Sequence, residues 1–173
     1  MGKGLSRSMA RAGNSAATIQ KSTLSLNGKT ITVDGATGVG FGSLAFGGFR
    51  EGNIMLLGAV GYVGISTEST DVTVDFEGDL AVGSTPASDG TLSAGDADII
   101  PSSAIGPAST RAIAEARFTQ DDGSICGVVL DNTDGSLELN LNLLIDDADI
   151  SADGVELTLT GVLVIAYIVL GDD

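Results

Sequence analysis

The sequence predicts an all-β fold: an antiparallel β-sandwich of jelly-roll type, preceded by an extended basic arm. Three observations carry that expectation. In "SLELNLNLLI", Leu137, Leu139, Leu141, Leu143 and Ile145 fall on one parity and Glu138, Asn140 and Asn142 on the other. Strict period two over this length fits a strand and excludes an amphipathic helix. The 43% of apolar residues are mostly aliphatic, aromatics are 4%, and 25 glycines break the chain into strand-length runs. A β-branched, glycine-punctuated composition favours sheet over helix. Turn-forming clusters recur between those runs, the spacing expected of a sandwich of eight or more short strands.

At 173 residues the chain is one domain with a tail; it is long enough to bury a substantial core. Residues 1–21, "MGKGLSRSMARAGNSAATIQK", show no sustained periodicity and read as an arm, with residues 22–173 as the sandwich. The first paired element is "STLSLNGKTITV", where Asn27-Gly28 predicts a two-residue hairpin turn placing Leu24 opposite Ile31. In "GATGVGFGSLAFGGFREGNIMLLGAVGYVGISTE" the glycines alternate with apolar residues. Gly38, Gly40 and Gly42 match neither GxGxxG nor a loop ending in GK[ST], so they are read as bulges or close approaches within strands rather than a phosphate cradle. "DVTVDF", residues 71–76, alternates as a half-buried strand.

Residues 83–110 hold all three prolines among many turn formers and predict a long irregular excursion, a segment type that commonly makes contacts. "TRAIAEARF" is read as a strand. After it come a strand "SICGVVLD", a turn "NTDG", the alternating strand already described, a second turn, and "VELTLTGVLVIAYIVL". The stretch 161–170 is wholly apolar but about half the length that spans a bilayer, so it is read as a strand central to the sandwich or buried between subunits.

The charge distribution narrows the function. Residues 1–33 carry Lys3, Arg7, Arg11, Lys21 and Lys29 and no acid, whereas the remaining 140 residues carry three bases and all 23 acids. A formal net charge of −15 on an acidic body repels nucleic acid and anionic membrane, so neither is an expected partner. The basic arm is the segment suited to an acidic protein surface, with Lys3, Arg7, Arg11 and Lys21 as its contact residues. No apolar run of signal-peptide length occurs near the N-terminus.

Catalytic equipment is missing. The chain has no His and a single Cys, Cys126, which excludes Ser-His and Cys-His pairs, a His/Cys zinc site and an internal disulfide. Cys126 lies on a strand pattern and is read as a small core residue. The carboxylate-rich stretch "DDADISADGVE" resembles the first half of a calcium loop, with Asp147, Asp149, Ser151 and Asp153 at ligand spacing. The twelfth position, where a bidentate Glu is needed, is Thr160, and strands rather than helices flank the stretch. A hairpin turn accounts for the same residues, as it does for "DNTDGS" at 131–136, so no metal, no cofactor and no enzyme activity is expected.

The segments "FEGDLAVGSTPASDGTLSAGDADIIPSSAI" and "DNTDGSLELNLNLLIDDADI" resemble structural proteins encoded beside the major capsid protein in tailed bacteriophages of marine and cyanobacterial hosts. That resemblance implies a capsid decoration, or cement, protein on the outer shell of a virion assembled in the host cytoplasm. It would bridge neighbouring major capsid protein subunits as a homotrimer, with a dimer as the other option. Two alternatives remain: a tail or head-fibre component, and an acidic carbohydrate-binding or adhesion module, for which two Tyr and no Trp supply a poor aromatic platform.

Overall fold

A computed structural model describes residues 19–35, 37–108, 114–119 and 127–171. Two antiparallel sheets pack face to face as a β-sandwich. The first sheet is organised around β10 (Val155–Gly171), which lies between β1 (Ile19–Ser25) and β4 (Asn53–Ser66). β2 (Lys29–Val33) also pairs with β10, while β7 (Ala114–Thr119) and β8 (Val129–Leu130) pair with the far edge of β4. The second sheet runs β3 (Gly40–Gly48), β9 (Glu138–Ile145), β5 (Gly78–Gly83), β6 (Ile100–Ile105). A bridge between Asp34 and Phe41 closes one side, where β2 passes to β3.

The core is the pair of inner faces. From β10 come Leu157, Leu159, Leu163, Ile165 and Tyr167; from β4, Ile54, Leu56, Val63 and Ile65; from β9, Leu139, Leu141, Leu143 and Ile145. The alternation in β9 therefore takes the predicted register. Tyr167 meets Phe49 edge to face at 5.0 Å, one of few aromatic pairs available to so aliphatic a chain.

Asn27-Gly28 does not make a hairpin. β1 and β2 follow one another along the same edge of β10, with Ser25 opposite Val162 and Lys29 opposite Leu159. The upper strand takes four steps where β10 takes three, which is a β-bulge of one extra residue. Within it the Lys29 N–H donates to the Leu26 carbonyl at 2.9 Å, and the Leu26 and Gly28 N–H groups donate to the Gly161 and Leu159 carbonyls at 3.0 Å each. Asn27 Oδ1 accepts from the Gly161 N–H at 2.8 Å. The turn chemistry of Asn-Gly is thus used, with Gly28 at φ 73°, but the chain returns to the same partner. The reason is the length of β10: its buried row runs unbroken past the bulge, so both segments gain more from pairing with it than with each other. The extra residue switches the buried parity from Leu24 and Leu26 to Ile31 and Val33, which keeps these four side chains inward.

Two other expectations need correction. Residues 71–76 are not a strand. Val72 and Phe76 are buried, but Val74 is exposed, and the only ladder contact is a bridge from Val72 to Ile150. This segment carries the chain from β4 in one sheet to β5 in the other, and Asp149 takes the place of a partner strand: its two oxygens accept from the Thr73 hydroxyl and the Glu77 N–H, at 2.8 Å each. The excursion 83–110 contains strand β6, with Pro101 at its second residue. β6 is an edge strand, where a missing N–H is tolerated. No helix among the described residues is long and apolar enough to cross a membrane.

The bulge yields a graded prediction. A Cβ on Gly28 meets open space, so Gly28→Ala carries only the left-handed backbone penalty, about 1–2 kcal/mol. A Cβ on Gly161, at φ 120°, would lie 2.1 Å from the Tyr62 carbonyl oxygen of β4. Gly161→Ala should therefore cost about 3 kcal/mol or more. Urea unfolding of the two variants checks the order.

Candidate functional site

Between Val162 and Ile168 the outward face of the β10 sheet is mostly apolar; nearer the start of the strand Glu156 lies exposed on the same parity. Pairs directly opposite across antiparallel strands share a face, so the register assembles it in rows. Ile168 lies between Ile19 and Met55, and Met55 faces Val129. Ala166 lies between Lys21 and Gly58; Val164 between Thr23 and Val60; Val162 between Ser25 and Tyr62. The backbone of β7 pairs along the far edge of β4 beside these rows. These rows hold no acid. Ile19 is 64% exposed, Val60 51% and Val162 39%, so the apolar run 162–170 is buried on one side only.

Of the sequence-predicted partner residues, Lys3, Arg7 and Arg11 lie outside the described residues, as does Cys126. Lys21 lies within β1, which begins at Ile19, so the last three residues of the predicted arm belong to the sheet. There Lys21 is exposed on the apolar face.

The Asp-rich turn is spent on the fold. Asp147–Asp149 form a short 3-10 turn, closed by the Asp149 N–H donating to the Asp146 carbonyl at 2.8 Å. Both Asp149 oxygens hold the 71–77 crossover, as described above. Ser151 donates from both N–H and hydroxyl to the Asp71 carbonyl, at 2.9 and 3.2 Å. Among the described residues no group of three or more His, Cys, Asp or Glu is placed to hold a metal ion. What the sequence reading missed here is the use of these residues as cross-links between loops 76 or 80 positions apart.

The stretch 131–136 is also structural. Asp131 Oδ1 accepts from the N–H and hydroxyl of Thr133 at 3.0 and 2.8 Å, and Asp134 Oδ1 from those of Ser136 at 3.0 and 2.7 Å. These bonds hold both carboxyls below the ordinary value, with the Thr133 N–H the larger influence on Asp131 and the Ser136 hydroxyl on Asp134. Asn132 between them is fully buried; its Nδ2 donates to the Arg50 carbonyl at 2.7 Å and its Oδ1 accepts from the Leu137 N–H at 2.8 Å.

The second sheet has a polar outer face covered by loops. Asn140 and Asn142, on the polar parity of β9, are buried, not solvated. Asn142 Nδ2 donates to the Thr85 and Asp96 carbonyls at 2.9 and 2.7 Å. Its Oδ1 accepts from the Ser43 hydroxyl and the Ala87 N–H at 2.6 and 2.9 Å. Ser84 donates from N–H and hydroxyl to the two oxygens of Asp98, at 2.8 and 2.6 Å. One carboxamide thereby fastens the excursion 84–98 to the sheet. Period-two alternation places Asn142 on this face, but nothing local announces that a loop more than 40 residues away comes to cover it.

Between that loop and the 131–137 turn lies a cavity of about 500 Å³, with Asn140 lining it. No protein-family model matches the chain, and no curated protein matches it.

Asn142→Leu, close in volume but without hydrogen bonds, should cost roughly 2–4 kcal/mol by leaving buried partners unpaired. It should also speed amide exchange at Thr85 and Ala87 while the β10 ladder stays protected. The Asp131 and Asp134 carboxyls are lowered in the folded state, so their support of the turn is full above the ordinary carboxylate value of 3.8 and is lost as pH falls through the lower folded values. An NMR titration should show the Thr133 and Ser136 amides losing protection only below that ordinary value.

Proposed function

We propose that the chain is a structural assembly protein, a shell-decorating module of the tailed-phage kind, and not an enzyme. The observation that carries this reading is the run of acid-free, mostly apolar rows opposite Val162–Ile168 on a chain with 23 acids and 8 bases. Seven residues of β10 and three or four strands span roughly 400 Å² in projection, the size of patch that on a monomer is often functional.

The occupant is a second copy of the chain. Two chains of net charge −15 repel wherever acids face each other. Close approach is favoured only where acids are lacking. At roughly half the about 800 Å² per partner of an ordinary interface, the face suits a weak, reversible contact. A flat face that meets itself pairs about a two-fold axis, which makes a dimer simpler than the three-fold trimer expected from the resemblance.

The strand order supports a jelly-roll winding: the chain crosses repeatedly between the sheets, and each sheet places a late strand, β10 or β9, between two early ones. Jelly rolls serve in viral shells and in lectins, so the winding is compatible with the role without establishing it. The shell surface, with the major capsid protein as partner, is assigned to the basic residues Lys3, Arg7 and Arg11, leaving the acidic loops outward on the virion.

The two contacts should respond oppositely to salt, which makes them separable. Self-association should strengthen with salt as body repulsion is screened, and shell binding through the basic residues should weaken. Val60→Glu should weaken self-association about tenfold or more with little change in melting temperature, as read by sedimentation velocity. Cosedimentation with phage shells lacking the protein should be saturable for the full chain and reduced on deletion of residues 1–18, which leaves β1 intact. Absence of binding by both forms counts against decoration and leaves only the assembly face.

A further inference from the structure

The cavity on the outer face of the second sheet has the chemistry of a binding site. Asn140 is 4% exposed, and its carboxamide has no hydrogen-bond partner among the described residues, whereas its neighbour Asn142 has four. A buried polar group left unpaired is costly and calls for a partner. The register sets Asn140 between Ala45 and Gly83, so neither residue directly opposite offers a side-chain hydrogen bond. Asn140 lines a cavity of about 500 Å³, within the range of small-ligand sites.

The remaining lining groups define the ligand. Ser43, Ser84 and Ser136 contribute hydroxyls, and each has given its proton to the protein itself: to Asn142 Oδ1, Asp98 Oδ2 and Asp134 Oδ1 at 2.6, 2.6 and 2.7 Å. Their oxygens can therefore only accept further bonds. Glu138 at the rim accepts as well. The one unspent side-chain donor is Nδ2 of Asn140.

A ligand for this lining must donate to several oxygens and accept from one amide. An ammonium or guanidinium cannot accept. A phosphate or carboxylate cannot donate, and it would meet Glu138 with no cation to offset the repulsion. A hydroxyl does both through one atom. Pro86 and Leu137 add apolar wall for the C–H face of a ring. We infer that this cavity binds a neutral polyhydroxylated ligand, a saccharide unit, with Asn140 as its central contact. The inference stands apart from the assembly reading, since it uses the opposite sheet.

The test uses the full-length chain, titrated in turn with glucose, galactose, mannose and N-acetylglucosamine while the Asn140 side-chain NH₂ resonance is followed. Inorganic phosphate and spermidine serve as charged probes. At least one saccharide should shift that resonance saturably, with a dissociation constant below about 10 mM. Asn140→Ala should weaken binding about tenfold by removing the amide. Ala45→Met, at the exposed edge of the cavity, should weaken it comparably by obstruction, and it decides the matter should the Asn140 variant fail to fold. The inference is overturned if no saccharide shifts the resonance by about 50 mM, if binding survives Ala45→Met, or if phosphate or spermidine produces the shift instead.

Discussion

The fold depends on the ladder of β10. This one strand of 17 residues pairs with β1 and β2 along one edge and with β4 along the other. Its buried parity holds from Val155 to Tyr167. Everything that pairs with it must match a period set by β10, and the irregularities of the first sheet are adjustments to that demand. The bulge at Leu26–Gly28 restores the inward parity of β2, and a register shift in β4 at Leu57 does the same opposite Ala166 and Tyr167. A strand this long and apolar is an aggregation hazard when its edges are open. Placing it centrally, with partners on both edges, removes that hazard and leaves only its outer face to be managed.

The second sheet solves a different problem. Both faces of β9 are covered, one by the core and the other by a loop, and a loop that covers a sheet brings backbone polar groups with it. Asn142 meets that demand with two donors and two accepted bonds, so its burial is structural. Asn140, two residues away on the same face, is also buried and has none of those bonds. The contrast between them is what gives the cavity its meaning: the fold is able to satisfy a buried asparagine on this face and does so at one position only.

How much of this was legible in the sequence follows from the range of each interaction. The strand β9, the long strand β10, and the class of fold were readable because period-two alternation is local and overrides propensity. Asn27-Gly28 was readable as a left-handed turn but not as a bulge, because the choice depends on the partner, and β10 lies 130 residues further on. Residues 71–76 alternate as a strand would, yet Asp149 intercepts the donors a neighbouring strand would have used. Within the Asp-rich turn, Asp149 and Ser151 likewise bond a segment more than 70 positions away, a use no local pattern announces. The polar parity of β9 was seen, but its burial was not, since a covering loop leaves no periodic trace.

Charge completes the division of labour between the two sheets. Among the described residues the acids within strands are Asp79, Glu115, Glu138 and Glu156, and all others lie in loops, short turns or the Asp34 bridge. The loops at the ends and over the second sheet therefore carry most of the negative potential, while the outer face of the first sheet carries Lys21 and no acid in its central rows. A partner with its own acidic surface is turned away from the second sheet and tolerated on the first. A neutral ligand feels neither bias and is selected by hydrogen-bond geometry alone, which is what the lining around Asn140 supplies. Because the two surfaces lie on opposite faces of the sandwich, the proposed pairing through the first would leave the second facing solvent, so the two proposals do not compete.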